Sequence, residues 1–337
     1  MAMTARSSSE REGVAGLRVH GGRIDLAAAL YPGSPRPWLD LSTGINPLGW
    51  KPAETLQIDH TSLPSPAALE ELEAAAARVF GVAAERVVAV PGSELGLRAL
   101  ERIGLPGPFR FAVPSYATHA SVFPDAVPIA RGAIASVTEG TILLANPNNP
   151  DGLVDDPAML MATARRGPWL VVDEAFVDTM PEASVVQHLA SDDQVVVFRS
   201  FGKFFGLPGV RLGFMIAPAD RVAAMRRLLG AWPISASAIA YGTVAYRDTP
   251  WIERTRRGIA DRAADLDERL SRLGFPPRGA CPLFRLIETP QASRLFERLA
   301  RAGILARTFD HAPHWLRIGL PADEAAFERL ERALAGE

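Results

Sequence analysis

The chain of 337 residues has one cysteine, Cys281, so no intrachain disulfide can form and a reducing, cytoplasmic setting is expected. With no second thiol or His-rich cluster near it, Cys281 reads as a packing residue, and no metal site is expected. Excess charge of either sign is also lacking. Lys plus Arg number 36 against 38 Asp plus Glu, a net charge of −2, which speaks against a nucleic-acid surface or an acidic tail. No apolar run reaches membrane-spanning length. The first ten residues lack the apolar middle of a signal peptide and read as a frayed tail. Internal repeats and low-complexity linkers are absent.

What is present is a core-forming composition, 48% hydrophobic, at a length that suits about two domains. Apolar runs at Arg86–Val90, Phe109–Val113, Thr141–Ala145, Trp169–Val172, Val195–Phe198 and Leu212–Ile216 read as strands. They alternate with helical stretches such as Ser93–Ile103, the signature of an α/β domain with a mostly parallel sheet. After Trp232-Pro233 the pattern changes to a long charged helical stretch, Ala236–Leu273, broken near Pro250. Strand Leu283–Ile287, helix Ala292–Ala302, strand Trp315–Ile318 and helix Asp323–Ala335 follow. The expected organisation is a large domain over residues 41–235 and a smaller one over 236–337, joined by an N-terminal segment, 12–40.

The segment Ser200-Phe-Gly-Lys203-Phe-Phe-Gly-Leu-Pro-Gly-Val-Arg211 carries the chemistry. It follows a buried strand, so Lys203 lies just past a strand end, where open sheets present ligand-binding residues. A hydroxyl three residues before the lysine and a guanidinium eight after it can both reach the phosphate of a cofactor whose aldehyde the lysine holds. The segment resembles the lysine motif of fold-type I pyridoxal phosphate enzymes. Four other segments then acquire meaning. Asp173 ends an apolar strand, where a carboxylate is costly to bury without a cationic partner such as a protonated pyridine nitrogen. Gly92, Ser93 and Glu94 join a strand to a helix and can offer amides to an anion. Asn149, in the turn Asn146-Pro-Asn-Asn-Pro, can reach the cofactor's phenolic oxygen. Tyr116 can stack on its ring, while His119 is expected to be an ordinary surface or core histidine and Glu174 a structural neighbour.

Asn149-Pro-x-Gly, Asp173-Glu-Ala-Phe176 and Ser200-x-x-Lys203 with Arg211 resemble the aspartate aminotransferase superfamily, in the branch of histidinol-phosphate aminotransferases and threonine-phosphate decarboxylases. The match spans nearly the whole chain. It implies a fold-type I architecture, a mostly parallel seven-stranded sheet flanked by helices plus a smaller α+β domain, and a homodimer. His20-Gly-Gly, Leu41-Ser-Thr-Gly-Ile-Asn46 and Phe176, where the branch's aminotransferases usually carry tyrosine, are similar to the decarboxylases. The resemblance therefore implies decarboxylation of O-phospho-L-threonine in cobalamin biosynthesis, with histidinol-phosphate transamination as the alternative. It assigns catalysis to Lys203 and Asp173, and substrate contacts to His20, Gly21, Asn46, Asn149, Arg307 and Arg317. Two arginine forks suit a phosphorylated amino acid. The sequence departs from the pattern at Leu63, where relatives place a tyrosine that reaches the neighbouring subunit's cofactor phosphate, and at Asp151, where threonine is usual.

Overall fold

A computed structural model describes residues 16–17, 21–52 and 54–336. The chain divides into two compact units, one of Leu48–Gly258 and one combining the chain up to Pro47 with the part from Ile259 onward.

The first unit is built on a seven-stranded sheet in the order Val87–Val90, Gly213–Ile216, Val195–Ser200, Trp169–Asp173, Thr141–Ala145, Phe109–Val113, Val127–Ala130. Every pairing is parallel except the two made by Gly213–Ile216, which is the mostly parallel sheet expected. Four of the strands are buried along their whole length. Their unbroken apolar runs follow from having both faces covered. Val88, Val90, Leu97, Leu143, Val171, Val196, Phe198 and Met215 form one core with this sheet.

Helix Pro66–Phe80 starts where the Ser65 hydroxyl accepts from Ala68 N and Pro66 occupies the first turn. Its last residue, Phe80, enters an aromatic cluster. Phe80 lies edge-on to Phe214 at 5.6 Å, and Phe205 packs on Tyr246 at 5.0 Å and stacks on Trp251 at 5.4 Å. Phe201 stacks on Phe205 at 4.6 Å. These rings hold the four-residue helix Phe201–Phe204, and with it Lys203, against the unit's core. The expected long helical stretch is two helices, Ala236–Arg247 and Thr249–Arg272.

The second unit carries a four-stranded antiparallel sheet in the order Arg307–Phe309, Ala312–Gly319, Phe284–Glu288, Pro277–Arg278. Strand Leu39–Asp40 pairs in parallel with Ile304–Leu305. Helices Ala292–Arg301 and Glu324–Ala335 bury Leu295, Phe296, Leu299, Phe327, Leu330 and Leu334. Cys281 is wholly buried here, and burial pushes its thiol pKa up to about 12. Almost no thiolate exists at neutral pH, so the native protein is expected to consume no Ellman's reagent and the denatured protein one equivalent. Rapid labelling of the folded chain would refute this.

Candidate active site

Parallel strands bring their C-terminal ends to one edge of the sheet. In the register, Ala145 lies beside Asp173 and Asp173 beside Phe198. The loop opened by Asn146, the Asp173 carboxylate and the Ser200–Lys203 turn therefore stand in neighbouring positions on that edge. Gly213 pairs with both Ser200 and Val90, which adds Arg211 on one side and the Gly92–Glu94 turn on the other.

The contact between these last two segments is close. A Cβ on Gly92, whose φ is +85°, would stand 2.7 Å from Arg211 Nη2, and one on Gly213 would stand 2.5 Å from Ser93 N. Only glycine allows both approaches. Arg211 itself adopts φ +56°, a left-handed conformation rare for a non-glycine residue, and its guanidinium is exposed beside the Ser93 turn. The helix that begins at Ser93 is shorter than the sequence suggests. It ends at Arg98, and a 3₁₀ turn, Leu100–Arg102, replaces its remainder. An anion at this turn would meet individual amides and the Arg211 fork, with little help from a helix dipole.

Asp173 is 6% exposed. Its Oδ1 accepts from Ala175 N at 3.2 Å, and Oδ2 lies 3.2 Å from Nε2 of fully buried His119. A carboxylate only accepts, so Nε2 carries the proton of this contact. His119 Nδ1 has no hydrogen-bond partner among the described residues. The sequence reading treats His119 as an ordinary histidine, but it is the side chain that orients Asp173. Its spacing of three from Tyr116, whose ring it meets edge-on at 5.9 Å, is the one sequence signal that points to it.

Glu174 is wholly buried and structural. It accepts from Ser184 Oγ at 2.8 Å and Val185 N at 2.7 Å, and pairs with Arg199 at 2.9 Å. Burial raises its pKa against the opposing pull of Arg199. Phe176, two residues on, presents its ring 5.7 Å from Lys203 Nζ, which places the lysine amine beside the Asp173 turn.

The asparagine loop is pinned from within. Asn146 Nδ2 donates to Ala183 O at 3.1 Å, and Asn148 Nδ2 donates to Pro114 O at 3.0 Å and to Asp151 Oδ1 at 2.7 Å. Asp151 thus takes a loop-closing role where threonine is usual. Half-buried Asn149 sits in this fixed frame. Tyr116 follows the neighbouring strand end, as Glu94 follows Val87–Val90. The Glu94 carboxylate accepts from Thr118 Oγ1 at 2.9 Å and Arg98 Nε at 2.8 Å.

Burial, with the nearby Glu94 charge, pushes the Tyr116 phenol up to about 12. Its proton is retained while an unfolded tyrosine ionises near pH 10, so the stabilisation is complete below pH 10 and is lost as pH rises toward 12. Of the four tyrosines, Tyr116 is expected to contribute a late step to an absorbance titration at about 295 nm. Tyr116→Phe should delete that step, and a titration unchanged by the substitution would disprove the assignment.

In the second unit, Arg307 and Arg317 are register partners across an antiparallel pair. Directly opposed residues share a face of the sheet, so two positive charges face the same way. Each guanidinium also lies over a ring, Arg307 over Phe309 at 5.4 Å and Arg317 over Phe284 at 4.8 Å. Gly21 packs on Ser42, where a Cβ would stand 2.6 Å from the carbonyl oxygen. Asn46 is 3% exposed, and His20 lies outside the described residues. Among the described residues no helix is long and apolar enough to cross a membrane, and no group of three or more His, Cys, Asp or Glu side chains is placed to hold a metal ion.

A lysine past a strand end, a buried aspartate on the next strand and an arginine packed on a glycine turn lie on the architecture of a fold-type I transferase. The chain belongs to the aminotransferase class I and II family, whose model matches residues 36–334. It is 40% identical over 330 residues to a threonine-phosphate decarboxylase from Sinorhizobium sp, covering 94% of this chain and 97% of that one. A threonine-phosphate decarboxylase from Pseudomonas aeruginosa is 39% identical over 327 residues, with the same coverage. The fold is also that of histidinol-phosphate aminotransferase from Sinorhizobium meliloti in complex with pyridoxal-5'-phosphate, with a TM-score of 0.75, 18% identity and coverage of 100% and 98%.

Proposed function

We propose that this protein is a pyridoxal phosphate-dependent decarboxylase of O-phospho-L-threonine. The observation that carries the reading is the near-full-length identity of 39–40% to two relatives of that name.

The residues present fit the cofactor. The buried Asp173 carboxylate, held by His119 and the Ala175 amide, is suited to the protonated ring nitrogen, because a buried charge needs an opposite one. Ser200, Arg211 and the amides of Gly92, Ser93 and Glu94 would take the phosphate, Asn149 the phenolic oxygen, and Tyr116 one face of the ring. Bound pyridoxal phosphate supplies an electron sink for a bond broken at the substrate's α-carbon. Lys203 would hold the cofactor through its amine, and that amine, once free, would move a proton at the substrate's α-carbon. Arg307 and Arg317, with His20, Gly21 and Asn46, would grip the substrate's phosphate and carboxylate. Their grip on the two anionic groups would orient the bonds at the α-carbon and so select which of them breaks. In decarboxylation the α-carbon loses carbon dioxide and gains a proton, which Lys203 would supply, and the product would be (R)-1-amino-2-propanol phosphate for cobalamin biosynthesis.

A cytoplasmic homodimer is part of this reading. The test is a parallel assay of the purified protein. Carbon dioxide release from O-phospho-L-threonine without an amino acceptor is expected. Glutamate formation from histidinol phosphate and 2-oxoglutarate, with no carbon dioxide from phosphothreonine, would overturn it.

A further inference from the structure

Ser42 sits where three chain segments of the second unit meet. It is 1% exposed, and each of its polar groups is engaged. Its N–H and its hydroxyl both donate to Asp40 Oδ1, at 2.9 Å and 2.6 Å. The hydroxyl oxygen accepts from Gly22 N at 2.8 Å, and the carbonyl accepts from Arg317 Nη2 at 2.9 Å. The hydroxyl's hydrogen bond to Asp40 fixes its rotor, since its proton must point at the carboxylate and its lone pairs are thereby turned to Gly22. Gly21 lies on the Ser42 carbonyl so closely that no side chain fits. Arg307 Nη1 reaches Leu17 O, at 3.4 Å, on the same N-terminal segment.

We propose that Ser42, oriented by Asp40, is the positioning residue of the substrate-recognising face, holding the Gly21–Gly22 segment and Arg317 in one fixed geometry. The inference rests on the assignment of Gly21 and Arg317 to substrate binding made above. Recognition of two anionic groups at once depends on the distance between the groups that hold them. A residue that ties both holders to one backbone point sets that distance without touching the substrate.

The experiment compares wild type, Ser42→Ala and Asp40→Ala as holoenzymes. Ser42→Ala removes the acceptor of Gly22 N and is expected to raise KM for O-phospho-L-threonine about tenfold, with kcat within about twofold. Asp40→Ala leaves the hydroxyl in place but free to rotate, and is expected to raise KM about threefold. It supplies the same test if Ser42→Ala does not fold. A second readout needs no substrate. Exposed Arg23 follows the tethered glycines, so trypsin should cut after it several times faster in both variants, as mass spectrometry would read. Wild-type KM and wild-type cleavage at Arg23 in a folded variant would overturn the proposal, as would a fall in kcat with KM unchanged. If wild type releases no carbon dioxide from phosphothreonine, the functional reading fails, while the cleavage comparison still decides the tether.

Discussion

Lys203→Ala is expected to abolish both turnover and covalent capture of the cofactor. Borohydride reduction of the wild-type holoenzyme should fix the cofactor to the peptide bearing Lys203, and the variant should bear no label. The outcome is unusually clean because the chain has one other lysine, the exposed Lys51. If Lys203 both attaches the cofactor and moves the proton, as proposed, the fall in kcat should reach at least about 10⁴-fold. The aromatic cluster of Phe201, Phe205, Tyr246 and Trp251 is untouched by the substitution, and the variant should melt within a few degrees of the wild-type apoenzyme. Label on Lys51, or a persisting visible band, would place the cofactor elsewhere.

Asp173→Asn should give the second-largest loss, and a different one. The amide is isosteric and its oxygen still accepts from Ala175 N or His119 Nε2, so the strand end should keep its shape. The buried negative charge is gone, however, and a protonated ring nitrogen would face a neutral amide. Removing one partner of a buried charge pair costs about 3–5 kcal/mol, which corresponds to roughly 10²–10⁴-fold in rate. The predicted signature is that Lys203 still captures the cofactor while kcat collapses. A variant within tenfold of wild type would show that Asp173 does not pair with the ring.

The central sheet was legible because burial on both faces leaves its strands as unbroken apolar runs, with Val195–Val197 and Leu170–Val172 the plainest. The edge strand Val127–Ala130 escaped for the opposite reason, since it contains Pro128 and three of its four residues are exposed. Lys203, Ser200 and Arg211 could be singled out because their spacing lies within one segment. His119 had only its spacing of three from Tyr116 to mark it, because its partner Asp173 is 54 positions away and the contact forms only when the sheet brings the ends of two non-adjacent strands to one edge. The opposition of Arg307 and Arg317 was hidden in the same way. The resemblance singled out both arginines, but only the hairpin register shows them directly opposite each other. The helix begun at Ser93 was overextended because Ala99–Ile103 keeps helical spacing, whereas the chain tightens into 3₁₀ geometry before Gly104.

The arginine pair also bears on how the second unit is assembled. Arg317 donates to Ser42 O and Arg307 to Leu17 O, so two forks that lie opposite each other in one sheet also hold down the early part of the chain. Replacing either cation would loosen two parts of the sequence at once, the hairpin and the segment it retains.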